Sequence, residues 1–103
     1  ISVHEFKERR GSAANKFVLL DVREPFEHDI CHFPEATLIP LGELPNRLAE
    51  LDAAMELFVH CKAGGRSLDA VKLLQAAGFD KAVNIAGGIN AWSKEVDPGV
   101  PLY

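Results

Sequence analysis

Short apolar runs alternating with segments of helical periodicity constrain this chain more than any other feature. Phe17-Val18-Leu19-Leu20 is continuous rather than alternating, as expected of a strand buried on both faces of a parallel sheet, and Asp21 ends it abruptly. Thr37-Leu38-Ile39, stopped by Pro40, reads as a second short strand, Leu57-Phe58-Val59-His60 as a third, and Ala82-Val83-Asn84-Ile85 as the last. Helical signals lie between them. Ser2-Val3-His4-Glu5 has the spacing of a capping box, with Gly11 as a stop. Leu44, Leu48 and Leu51 fall at i, i+4 and i+7 with Pro45 near the start of the predicted helix. From Ser67 to Ala77, residues Ala70, Val71, Leu73, Leu74 and Ala77 share a face opposite Asp69, Lys72 and Gln75, and Gly78 closes the helix. After a Gly87-Gly88 turn, a final helix from Ile89 to Glu95 turns Trp92 inward. The polar stretch from Arg23 to Pro34 reads as a connection with at most one helical turn, and Val96 to Tyr103 as an extended tail.

The alternation predicts an α/β fold: a parallel sheet, four strands of which can be counted, with helices on both faces and right-handed crossovers. With 103 residues the chain makes one domain, 1–103, large enough for a core without staples. Eleven Lys and Arg against 15 Asp and Glu leave a net charge of -4, and no basic patch overrides it, so neither nucleic acid nor a membrane surface is expected as partner. No run approaches the ~18 apolar residues that span a bilayer. The chain begins at Ile1 without a methionine, which leaves room for a segment upstream. Two cysteines, Cys31 and Cys61, make no disulfide framework, and point to a reducing, cytoplasmic setting.

The chemistry concentrates at Cys61. In open α/β sheets ligands bind at the carboxyl ends of the strands, and Cys61-Lys62-Ala63-Gly64-Gly65-Arg66-Ser67 joins a buried strand to the best helix at that place. Its two glycines let the backbone curl until several N–H groups converge on one point, which makes an anion cradle. Ser67 is the expected helix cap, the helix dipole adds about half a positive charge, and Lys62 and Arg66 add whole ones. Such surroundings lower a cysteine pKa from ~8.5 into the range ~3.5 to 7.5 and create a nucleophile. An ordinary core thiol would need neither the cations nor the glycines. Cys31 has no such cradle and reads as an incidental thiol. Arg23 follows the first strand and should emerge at the same edge, where it orients the loop or meets substrate while Asp21 holds it. The plainer reading of that pair is a surface ion pair worth ~0 to 1 kcal/mol.

His28, Cys31, His32, His60 and Cys61 are five soft donors, but no metal site is expected of them, because residues 60 and 61 point to opposite faces of a strand. His60 should pack against a helix and His32 hydrogen-bond within its loop.

Several segments carry a family resemblance: Leu19-Leu20-Asp21-Val22-Arg23-Glu24-Pro25, His32-Phe33-Pro34 with Ala36, Cys61 through Ser67, Ala77-Gly78-Phe79 and Gly87-Gly88-Ile89-Asn90-Ala91-Trp92. In that order they resemble the signatures of a rhodanese-like domain across nearly the whole chain. The chain departs from the family pattern at Cys31, Phe33 and Glu35, in a connecting loop. The resemblance implies a five-stranded parallel sheet, the fifth strand involving Ile1 or residues upstream, and an active-site cysteine at Cys61 that carries a persulfide without any other cofactor. It implies a thiosulfate or persulfide sulfurtransferase, with a small-molecule or protein sulfur donor. Trp92-Ser93-Lys94-Glu95-Val96-Asp97-Pro98, with Pro101-Leu102-Tyr103, resembles the close of rhodanese domains fused behind ubiquitin-activating-type adenylyltransferases. Such proteins load sulfur onto ubiquitin-like sulfur carriers, so a carrier and a fused or separate adenylyltransferase domain are the implied partners.

Two other classes compete. A phosphatase or arsenate reductase also places a thiolate in a cradle before a helix, but tyrosine-phosphatase loops are one residue longer between cysteine and arginine than Lys62 to Gly65, and no acid for the leaving group stands out. A catalytically silent docking module would have no need of both Cys61 and an intact cradle.

Overall fold

The apolar runs pair side by side, every neighbour parallel. The computed structural model describes residues 1–12 and 16–103. Its strands are β1 (Phe17–Asp21), β2 (Thr37–Leu38), β3 (Glu56–His60) and β4 (Ala82–Asn84), in the order β2-β1-β3-β4. The helices are α1 (Val3–Gly11), α2 (Pro25–Ile30), α3 (Gly65–Ala76) and α4 (Gly88–Glu95). The chain leaves β1 toward β2 on one side and leaves β3 toward β4 on the other, so the loops after β1 and β3 diverge. That divergence opens the switch point at which open α/β sheets bind ligands.

Alternation along the strands divides the core in two, as helices on both faces require. Leu57, Val59 and Cys61 face Ala70, Val71 and Leu74 of α3, together with Leu20, Ile39 and Leu44. Phe58, with Leu19, faces Val3 and Phe6 of α1 and Ile89 and Trp92 of α4. Phe6 has no solvent exposure and meets Phe17, Phe33, Phe58 and Trp92 edge-on, with centroids 5.5–6.0 Å apart. Edge-to-face pairs add to the area they bury, and this cluster fastens α1 and α4 to the sheet.

Several elements differ from the sequence expectation. The sheet has four strands among the described residues. At the place of the expected fifth, the Ile1 ammonium donates to Asn84 O at 2.7 Å and Ala86 N donates to Ile1 O at 2.8 Å, the pattern of a single parallel bridge at the edge of β4. The predicted helix at Leu44, Leu48 and Leu51 is instead two 3-10 turns, Leu44–Asn46 and Leu48–Glu50. The amides of Asn46, Arg47, Glu50 and Leu51 bond to carbonyls three residues back rather than four, the 3-10 pattern. The stretch read as a connection with at most one helical turn holds the six-residue α2, because Pro25 starts it and Glu24 and Glu27 close a capping box. The Ser2–Glu5 capping box forms as read, but Gly11 stays inside α1 and Ser12 caps it. Gly78, at φ 96°, ends α3.

Truncating the hub of the aromatic cluster, Phe6→Ala, should cost ~3–5 kcal/mol of folding stability. Urea unfolding of the purified domain measures it, and a loss below ~1 kcal/mol would mean that α1 is not fastened through Phe6.

Candidate active site

Cys61 is the first residue past β3, the strand flanked by β1 on one side and β4 on the other, and only 1% of its surface is exposed. Gly64 takes a left-handed conformation, φ 103°, which an L side chain disfavours, and so turns the loop back over the sulfur. Its N–H donates to Cys61 Sγ at 3.1 Å, and the Ser67 hydroxyl stands 3.4 Å from the same atom. Burial pushes the thiol up, but hydrogen bonds from the Ser67 hydroxyl and from the N–H groups of Ser67, Gly64 and Ala63 outweigh it, leaving the pKa below the ordinary value. The expected cap is displaced: Gly64, not Ser67, is the N-cap of α3, and Ser67 sits inside the first turn with no exposed surface. A second acceptor, Asn84 Oδ1 on β4, lies 2.5 Å from the Ser67 hydroxyl.

The other wall of the loop is the N-terminus of α4. Ile89 N donates to Cys61 O at 3.0 Å and Asn90 N to Lys62 O at 3.1 Å. Gly88 makes this approach possible, since a Cβ there would run into Cys61 O and lie 2.7 Å from Lys62 O.

The two cations of the loop are each engaged. Arg66 is bidentate to Glu27 of α2, at 2.6 and 2.9 Å, and Lys62 Nζ lies 4.7 Å above the ring of Tyr103. The hydrogen bonds from Arg66, against the opposing effect of burial and with help from Tyr103, hold the Glu27 carboxyl at about 2. Tyr103 donates to Glu27 Oε2 at 2.7 Å and accepts from Arg23 Nη1 at 2.8 Å; burial first, then the bond to Glu27, pushes its phenol up to about 12.

Arg23 neither meets solvent nor forms a surface ion pair. It has no exposed surface, which corrects the surface ion pair and the meeting with substrate, while the expectation that Asp21 holds it stands. Asp21 holds it through two bonds, at 2.9 and 2.8 Å, and the remaining donors go to Cys31 O, Tyr103 and Glu27 O. Burial works to raise the Asp21 carboxyl, and the bonds from Arg23 lead the effects that bring it below its usual value. This pair orients the rim of the site from beneath.

The five soft donors form no single group. His60 is fully buried, edge-on to Phe33, and burial lowers its pKa to about 4, so the imidazole is neutral. His32 Nδ1 pairs with His28 O at 2.8 Å, and the two rings stack. Cys31 is half-buried beside Pro101 O. Among the described residues no three His, Cys, Asp or Glu side chains cluster as metal ligands do. Likewise among them, no helix is long and apolar enough to cross a membrane.

The structure thus brings Ala63, Gly64 and Ser67 to the Cys61 sulfur, turns Lys62 and Arg66 to Tyr103 and Glu27, and buries Asp21 and Arg23 beside α2. It adds Glu27, Asn84, Gly88 and Tyr103, none of which the sequence had marked. Glu27 lay in an apparent loop and Tyr103 in an apparent tail, and their partners lie 39 and 80 positions away in the chain.

The profile of the rhodanese-like domain matches residues 2–95. The chain belongs to the rhodanese-like family. As a rhodanese-like domain it is 42% identical over 89 residues to the rhodanese-like/PpiC domain-containing protein 12, chloroplastic, of Arabidopsis thaliana, covering 82% of this chain and 30% of that protein. It is 39% identical over 93 residues to the probable adenylyltransferase/sulfurtransferase MoeZ of Mycobacterium tuberculosis, covering 88% of this chain and 24% of that protein. It therefore spans about a quarter to a third of these relatives' length. A solved structure from Staphylococcus saprophyticus superposes with a TM-score of 0.85 at 34% identity, over 93% of this chain and 94% of that one.

The folded-state pKa of Glu27 lies below its unfolded value of 4.5, so the stabilisation from the Arg66 and Tyr103 contacts is complete above about 4.5 and is lost as pH falls toward about 2. The stability gap between the parent and Glu27→Gln should narrow over that window in urea titrations at stepped pH. A gap that stays constant through it would show that the pairing is not charge-dependent.

Proposed function

We propose that this rhodanese-like domain is a sulfurtransferase that carries sulfane sulfur on Cys61. The observation behind the reading is the sulfur itself, held by the Gly64 N–H and bordered by the Ser67 hydroxyl in a loop that ends on a helix N-terminus. The Cys61 thiolate attacks the outer sulfur of thiosulfate or of a protein persulfide. An S–S bond forms to Cys61, the donor's S–S bond breaks, and its electron pair leaves with sulfite or with the donor thiolate. The persulfide then stands in the cradle, where main-chain N–H groups offset its negative charge. An acceptor such as cyanide or a thiol attacks the outer sulfur, and the Cys61 thiolate departs unchanged. No group beyond the cysteine is needed to hold the sulfur, and a reducing setting such as the cytoplasm keeps the thiol free.

Arg66 bears on the choice of chemistry. A phosphate-transfer loop needs its arginine free to grip equatorial oxygens, whereas here both arms of the guanidinium are on Glu27. A single terminal sulfur asks only for N–H donors. The adenylyltransferase/sulfurtransferase name of the mycobacterial relative supports a protein-borne acceptor, a ubiquitin-like sulfur carrier activated by an adenylyltransferase domain in the same chain or a separate one.

Incubation with thiosulfate should add ~32 Da to the peptide holding Cys61, and subsequent cyanide should release thiocyanate. Cys61→Ser should abolish both signals, and Cys31→Ser neither. Turnover that survives in Cys61→Ser would sink the assignment.

A further inference from the structure

Ser67 has one hydroxyl proton and two acceptors within reach, Asn84 Oδ1 at 2.5 Å and Cys61 Sγ at 3.4 Å. The shorter contact takes the proton. When Cys61 is a thiol the chain is complete, since S–H donates to Ser67 Oγ and Ser67 donates to Asn84. When Cys61 is a thiolate the two acceptors compete: the hydroxyl either leaves the sulfur with its main-chain donors alone, or turns to it and strands the Asn84 carbonyl beside a residue with no exposed surface. We infer that Asn84, through Ser67, is a positioning residue that competes with the Cys61 thiolate for the Ser67 proton and so sets how readily Cys61 ionises.

The consequence for sulfur transfer rests on the reading above. A thiol that gives up its proton less readily is the stronger nucleophile once ionised, so Asn84 keeps Cys61 ionisable by the main-chain N–H groups without making it too weak a base to attack sulfane sulfur. In the loaded state the charge moves to the outer sulfur, the inner sulfur no longer competes, and the Ser67 proton rests on Asn84. The other charged or titratable groups round Cys61 have partners of their own. Lys62 lies over Tyr103, Arg66 on Glu27, and Asp21 on Arg23, with His28 at 3.3 Å from Asp21. His60 is neutral beside Cys61 O, and Asp69 on α3 is exposed. The described β4 residues bring none, and α4 carries its charges, Lys94 and Glu95, in its last turn, away from the end that meets the loop.

The test is an ultraviolet thiolate titration of the folded domain in a Cys31→Ser background, which reports Cys61 alone and needs no sulfur donor. Asn84→Leu should lower the thiol pKa, giving about three- to tenfold more thiolate at any pH below it, with up to about a threefold slower thiosulfate reaction at the high-pH plateau. Asn84→Asp keeps the acceptor, adds a negative charge and should raise the pKa. Ser67→Ala should erase the difference between Asn and Leu at position 84, which a merely structural Asn84 would leave in place. An unchanged or raised pKa in Asn84→Leu, or a shift that persists in the Ser67→Ala background, overturns the inference. If the parent fails to form a persulfide while the titrations behave as stated, the sulfur-transfer reading falls and the role of Asn84 stands.

Discussion

A guanidinium without access to water must have all its donors met, and Arg23 meets them by joining the end of β1, α2 and the tail at one point. Its partners are Asp21 at the end of β1, the carbonyls of Glu27 and Cys31 on and just after α2, and the hydroxyl of Tyr103 in the tail. Tyr103 in turn binds Glu27, Glu27 holds Arg66, and Arg66 lies in the first turn of α3. A continuous polar path therefore runs from the buried floor of the sheet to the loop that surrounds Cys61. Losing one partner would leave part of a buried charge unpaired in an apolar interior, so the network holds α2 and the tail close to the loop round Cys61.

At the sulfur, two opposing effects decide the chemistry. Burial favours the neutral thiol, while the Ser67 hydroxyl and the N–H groups of Ser67, Gly64 and Ala63 favour the thiolate, and the second prevails. The same contest has the other outcome one residue earlier. His60 is as deeply buried, its Nε2 finds no partner, and desolvation keeps it neutral. These adjacent residues thus have opposite electrostatic fates, because hydrogen bonds to the charged form outweigh burial only at Cys61.

The cradle was legible in the chain because its ingredients are local. Cys61, the glycine pair and the helix of α3 lie within one short stretch, and loop curvature plus helix dipole follow from that order alone. Arg66 was legible as a charge but not as a paired one, since Glu27 stands in a segment whose helix depends on a Pro25 start and a Glu24–Glu27 capping box. The Leu44–Leu51 periodicity misled because the same apolar spacing is satisfied by two short 3-10 turns that bury Leu44. Asn84 and Gly88 gave no signal, for one reads as an ordinary strand residue and the other as part of a turn.

What the amino-acid order determined by itself was the parallel α/β layering, the placement of Cys61 at a strand's carboxyl end and the convergence of amides upon it, because each depends on hydrophobic period or backbone conformation over a few residues. Only the tertiary structure decided that Arg23 is interior, that Arg66 and Lys62 are engaged, and that the Ser67 hydroxyl stands between Asn84 and Cys61. Those outcomes depend on which side chains meet after the sheet assembles, and distances between strands are set by packing that no local stretch of residues contains.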